Sequence, residues 1–322
     1  MKIMSQKWRI KEFLLNTRKN NMKFSIGQQH VFILGAGASV DYGLPTWKKL
    51  NGLIKTKIEN DKNDLYKYKN EILSWLSKIG DNKKYKTIDE CIKTESVSKE
   101  YHNNGHEIEN GIFGIIKEIF KEVYKDNDTG WIRKLNEKIK DSENLNLENQ
   151  IAFINCNYDD VLDKNFLNFD YLPIKYKLFN YKSRLNTLSG IEAHCFHPHG
   201  YFSSEYNSTS IRKEKDTIKS GNEGFIDVVS CYESKNHIVS TYNIAQKISL
   251  YILGLGSGLN INLSNIRFQN KISDIHVTIK DDGLKDGIVN FLSEKFKINQ
   301  IEIKVYNDCC DLVDNCFNAK QP

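Results

Sequence analysis

Residues 30–47, HVFILGAGASVDYGLPTW, constrain the fold of this chain more than any other stretch. A short apolar strand at 31–34 runs directly into Gly35, Ala36, Gly37, Ala38 and Ser39. Small residues at such a turn let backbone amides approach a phosphate closely, and a following helix adds further N–H groups. The turn therefore has the chemistry of a nucleotide site. Its spacing excludes the dehydrogenase fingerprint, which needs a third glycine where this chain has Val40. The next glycine is Gly43, followed by Leu44 and Pro45.

The rest of the chain extends this start into an α/β pattern. Further strands are expected at 151–156, 191–196, 248–253, 275–279 and 301–305, and helices at 48–57 and near 284–296. Polar or glycine-rich turns follow several of these strands. The fold expected is a Rossmann-like, doubly wound, mostly parallel sheet. Residues 60–149 are rich in Lys, Asn and Glu and carry two apolar stripes at helical spacing. One stripe is Ile72, Leu73, Trp75 and Leu76; the other is Ile112, Phe113, Ile115, Ile116, Ile119 and Phe120. They predict a helical insertion with a weak joint at 100–105. The organisation expected is an N-terminal arm at 1–23, a nucleotide-binding domain from 24–59 and 150–322, and the insertion at 60–149. Residues 203–224 read as a polar loop.

Composition removes several alternatives. The 322 residues suffice for one large domain with an elaboration or for two modest ones. A net charge of +5 from 46 basic and 41 acidic residues, intermixed along the chain, gives no continuous nucleic-acid track. No apolar run approaches the ~20 residues that span a bilayer. The basic N-terminus lacks the apolar centre of a signal peptide. The seven cysteines form no CxxC pair, and their odd number argues against a secreted disulfide framework. A cytoplasmic protein is expected, without a membrane and without direct nucleic-acid contact.

Three later turns carry groups suited to chemistry. The first holds Asn155, Cys156, Asn157, Tyr158, Asp159 and Asp160. An asparagine amide can hold a ribose and a water, and an aspartate can orient a site through hydrogen bonds. The same residues also suit the cap of a helix starting near Val161. The second turn, 194–201, holds His194, Cys195, His197, His199 and Gly200. Imidazole titrates near neutrality and serves proton transfer. A metal site is the competing reading of this cluster, but it lacks a second group of ligands, and none is expected. The third turn, Gly254, Leu255, Gly256, Ser257 and Gly258, again follows a strand. Asp281 or Asp282 is a further candidate for a ribose hydroxyl.

The order of these motifs, Gly-Ala-Gly-x-Ser with Gly-x-Pro, then Asn-x-Asp, His-Gly and a glycine-serine turn, resembles the sirtuin superfamily. It is most similar to the sirtuin-like NAD-consuming domains of bacterial anti-phage systems. The resemblance covers about 30–47, 150–162, 194–201 and 248–260. It implies that Gly35, Ala36, Gly37 and Ser39 line the phosphates and ribose of NAD. Gly43, Pro45 and Thr46 would shape the nicotinamide side, and Gly254, Gly256 and Ser257 the adenosine half. Asn157, His199 and Asp159 would be the catalytic residues. Sirtuins that deacylate proteins carry Asp-Phe-Arg after Gly-x-Pro, where this chain has Thr46, Trp47 and Lys48. They also carry a zinc ribbon of paired CxxC motifs, absent here. Both departures favour hydrolysis of NAD to nicotinamide and ADP-ribose. The resemblance further implies NAD depletion in abortive infection, with an activating or regulatory protein partner encoded nearby and a homo-oligomeric assembly. Two alternatives stay open: an NAD-dependent protein deacylase, and a non-catalytic nucleotide-binding regulator similar to AbiH-type proteins.

Overall fold

Apolar runs buried on both sides form the middle of the protein. The computed structural model describes residues 28–61, 67–80, 83–86, 88–101, 104–140, 151–165, 181–186, 192–197, 226–227, 247–256, 263, 266–267 and 271–317. The expected arm at 1–23 and loop at 203–224 lie outside the described residues. The strands are β1 (Gln28–Leu34), β2 (Ile151–Asn155), β3 (Tyr181–Asn186), β4 (Glu192–His197), β5 (Ile226–Asp227), β6 (Lys247–Leu253), β7 (Ile266–Arg267), β8 (Lys271–Thr278) and β9 (Ile303–Tyr306). The helices are α1 (Trp47–Glu59), α2 (Lys69–Ser77), α3 (Ile88–Glu95), α4 (Gly105–Val123), α5 (Trp131–Lys140), α6 (Val161–Asn165), α7 (Lys285–Phe296) and α8 (Cys309–Cys316).

The main sheet has the order β3-β4-β2-β1-β6-β8-β9. Every neighbouring pair is parallel except β3 with β4, which is antiparallel at the edge. The α/β class and parallel sheet expected from the sequence are present. Strand β3 was not foreseen, since its sequence, YKSRLN, has no apolar run to announce it. From β1 the chain winds outward through β2 to β4. It then returns to β6, on the other side of β1, and winds outward again to β8 and β9. The direction of winding reverses between β1 and β6. Leu34 is level with both Asn155 and Leu253, so the three central strands end flush.

Alternate residues of these strands feed two cores. Phe32, Leu34, Phe153, Tyr251 and Leu253 face Trp131, Leu135 and Ile139 of α5 and Leu312 and Val313 of α8. Val31, Ile33, Ile154, Leu250 and Ile252 face the opposite side, with Leu292 of α7. Helices on both faces explain why the strands read as unbroken apolar runs. Each buried side chain of this size stabilises the fold by about 1.5–3 kcal/mol.

A third core is helical. Leu50 and Ile54 of α1, Trp75 of α2, Ile92 of α3 and Ile112 and Ile116 of α4 pack together. The two expected stripes lie on α2 and α4. In this packing α1 joins the helical layer and α5 joins the sheet. Inside the layer, Lys78, Lys84 and Tyr85 all bond the buried Glu95 carboxylate. Burial opposes its charge, but hydrogen bonds from Lys84, Tyr85 and Lys78 prevail and bring its pKa down to about 2.

Candidate functional site

Two glycine turns meet where the winding reverses. Gly35 N–H donates to the Leu253 carbonyl and Gly37 N–H to the Gly254 carbonyl, each at 2.8 Å. A Cβ on Gly37 would lie 2.7 Å from the Gly254 Cα, and one on Gly254 would collide with Gly37 and the Ala38 nitrogen. Gly254 also has φ +66°, so close approach and backbone conformation both require glycine there. Ala38 N–H donates to the Gly35 carbonyl at 2.8 Å. Three of the amides expected to cradle a phosphate are therefore committed inside the protein. Ala36 N–H has no acceptor among the described residues.

The helix after the turn is a 3₁₀ helix, Ala36–Tyr42, and α1 begins only after Thr46. Trp131 of α5 donates from its indole nitrogen to the Ala38 carbonyl at 2.7 Å, and Tyr42 is fully buried. Gly43 ends the 3₁₀ helix with φ +83°, and a Cβ on it would strike the Val123 carbonyl at the end of α4. The position thus has a packing reason to be glycine. Pro45 and Thr46 are half-buried in the connection to α1.

Beside the turn lies a buried polar chain. Asn157 Nδ2 donates to the Gly35 carbonyl at 2.9 Å and to Ser39 Oγ at 3.3 Å. Ser39 Oγ in turn donates to Asp159 Oδ2 at 2.9 Å. Asp159 Oδ1 accepts from Val161 N–H at 3.1 Å, so one oxygen caps α6 while the other faces Ser39. Asn155 Oδ1 accepts from Asn157 N–H at 3.1 Å and shapes the turn from within. All four side chains are buried. Asn157 Oδ1 has no hydrogen-bond partner among the described residues. A buried amide oxygen left unbonded costs about 1–3 kcal/mol, so such an atom marks a place where a donor is expected to arrive.

The geometry also fixes the direction of the Ala36 amide. The Gly35 carbonyl accepts from both Asn157 and Ala38. In a trans peptide the following N–H points the opposite way, so it is turned away from Asn157. Of the predicted residues, Gly35, Ala36, Gly37, Ser39, Asn157, Asp159 and Gly254 come together. Gly256 is exposed at φ +49° just beyond. His199 and Ser257 lie outside the described residues. Asp281 caps the 3₁₀ helix Asp282–Leu284 by accepting from Gly283 N–H at 2.9 Å.

A second polar cluster, unforeseen in the sequence, sits within the sheet. Asp274 accepts from Ser249 at 2.8 Å and pairs with His276 Nε2 at 2.8 Å. His276 Nδ1 lies 2.9 Å from the Tyr306 hydroxyl and 3.1 Å from Cys316 Sγ. The rings of His30, Tyr251, His276 and Tyr306 stack in a column across β1, β6, β8 and β9. Burial opposes the charge of Asp274, but hydrogen bonds from His276, Ser273 and Ser249 bring its pKa down to about 2. Burial lowers that of His276 too, against the pull of Asp274. His276 is thus neutral at pH 7, with its hydrogen on Nε2 facing the carboxylate. Burial pushes the Cys316 thiol up to about 12, so it is not the reactive thiolate of a hydrolase.

Among the described residues no cluster of His, Cys, Asp and Glu is placed to hold a metal, and no helix is long and apolar enough to cross a membrane. No family model matches the chain, and no curated protein matches it.

Proposed function

We propose that this chain is an NAD glycohydrolase, cleaving NAD to nicotinamide and ADP-ribose. The observation that carries the reading is the unpartnered Asn157 oxygen beside the glycine turn, in a chain whose motif order resembles that of sirtuin-like proteins. The sheet adds support. Its winding reverses between β1 and β6, and ligands of doubly wound sheets bind at such a reversal. Departure of nicotinamide breaks the bond between the ribose and the pyridinium nitrogen, leaving positive charge on the sugar. Water then bonds to that carbon and loses a proton.

With its nitrogen committed to Gly35 and Ser39, Asn157 offers only an acceptor. That suits a ribose hydroxyl or the attacking water, not a phosphate or a carbonyl. Asp159, held by Ser39 and Val161, acts by keeping Asn157 in register. His199 is assigned the proton by its motif, and the Ala36 amide suits a phosphate oxygen. The wider proposal is a cytoplasmic, oligomeric anti-phage protein that depletes NAD when a partner encoded nearby activates it. It rests on the motif resemblance.

The test is to incubate the purified chain with NAD, alone and with the products of neighbouring genes, and to follow nicotinamide and ADP-ribose. Asn157→Ala and His199→Ala should each lower release by about 100-fold or more. Release that survives both substitutions refutes the site. Nicotinamide release that requires an acylated peptide shows a deacylase instead, and tight ADP-ribose binding without turnover shows a regulator.

A further inference from the structure

We infer that Tyr158 is a positioning residue, which holds Asn157 and Asp159 against the glycine turn by anchoring their loop in the helical layer. Successive side chains between β2 and α6 part to opposite sides. Asn157 and Asp159 reach Gly35 and Ser39. Tyr158 instead belongs to the core of α1 to α4 and is 2% exposed. Its ring meets Trp47 edge-on at 5.6 Å and Phe113 at 5.4 Å. Asp160 pairs with Lys164 one turn along α6 at 2.9 Å, and its charge is felt by Lys117 of α4.

Trp47 opens α1 and Phe113 lies midway along α4, so one ring is clasped by two helices of the layer. Cys156, whose N–H donates to the Leu34 carbonyl at 2.9 Å, ties this five-residue loop to the sheet, and Tyr158 ties its centre to the helical layer. A shift of α1 against α4 would move the Tyr158 ring, and the two polar side chains on either side of it would follow. A displacement of about 1 Å in a group that positions substrate is enough to cost about 100-fold in rate. The helical layer thereby controls the site through the Tyr158 ring. The consequence for activity rests on the proposed NAD hydrolysis; the consequence for the loop does not.

The experiment compares Tyr158→Ala and Tyr158→Phe with Ile54→Ala, a buried change on α1 in the same core. Hydrogen exchange is followed at 35–40 and 155–161, together with melting temperature and the kcat and KM for NAD. Tyr158→Ala and Ile54→Ala should both lower the melting temperature. Only Tyr158→Ala should speed exchange in the two segments, by about tenfold, and lower kcat by about 100-fold. Tyr158→Phe keeps the ring and should restore both. If Tyr158→Ala does not fold, Trp47→Leu removes one side of the clasp and should speed exchange at 155–161 by about threefold. Equal exchange in Tyr158→Ala and Ile54→Ala overturns the inference, as does failure of Tyr158→Phe to restore it. A wild-type chain that releases no nicotinamide under any condition sinks the hydrolase reading alone, and the exchange data still decide this one.

Discussion

Two polar clusters share one sheet, one half-buried and one buried, and they differ in what their bonds join. Around His276 the polar groups close on one another: Asp274 takes Ser249 and His276, and His276 takes Tyr306 or Cys316. Around Asn157 the chain of bonds runs from amide to hydroxyl to carboxylate and stops short of one atom, Asn157 Oδ1. Composition alone would favour the first cluster as an active site, since it holds a histidine, an aspartate and a cysteine in hydrogen-bonding sequence. Their places in the fold separate them. The bonds of Asp274 and His276 tie β6, β8, β9 and α8 together, as a network that specifies the fold does, whereas Asn157 Oδ1 is an open acceptor at the end of the central strands among the described residues.

Three measurements sharpen this contrast. The largest effect is expected from His276→Ala, which leaves the half-buried Asp274 carboxylate without its histidine beside a cavity. Stability should fall by about 4 kcal/mol in denaturant titration, with nicotinamide release per folded molecule unchanged. An equal loss of release at full occupancy of the folded state would join the two clusters into one site.

Acid should act on the same network. Burial, with smaller opposing and reinforcing effects from Asp274 and His276, lowers the pKa of His30 to about 4. Between that value and the ordinary one near 6.5, the unfolded chain binds a proton that the folded chain refuses. Stability is therefore complete above about pH 6.5 and falls as the pH drops, by about 3 kcal/mol from His30 alone. The lowered value of His276 adds a loss of the same sign, and Asp274 extends it as the pH falls toward 2. A flat unfolding free energy from pH 7 to pH 4 would refute this, and His30→Gln should shallow the slope.

The smallest effect belongs to Ser39→Ala. It removes the link between Asn157 and Asp159 while leaving the Asn157 bond to Gly35. About 1 kcal/mol of stability and about a fivefold fall in release are expected. A fall as large as that of Asn157→Ala would place Ser39 in direct contact with substrate.

Legibility in the sequence followed the range of the interaction. The runs at 31–34, 151–154 and 248–253 announced the central strands because burial on both faces demands unbroken apolar residues. The stripes around Trp75 and Ile116 announced α2 and α4 in the same way. Ser39, Asn157 and Asp159 could be singled out because each follows a strand within a few residues. The His276 cluster could not, since Ser249, Asp274, His276, Tyr306 and Cys316 belong to four elements and share no local pattern. The commitment of the Gly35 and Gly37 amides was equally hidden. It depends on where β6 ends relative to β1, and only the register of the sheet decides that.

The meeting of the two glycine turns has a consequence for how the protein is made. A ribosome releases β1 long before β6, and until Leu253 and Gly254 emerge the amides of Gly35 and Gly37 have no carbonyls to meet. Synthesis therefore delivers the helical layer and the first strands ahead of the partner of this glycine turn. A growing chain cannot close this turn before β6 has emerged, so whatever activity it supports waits for that strand.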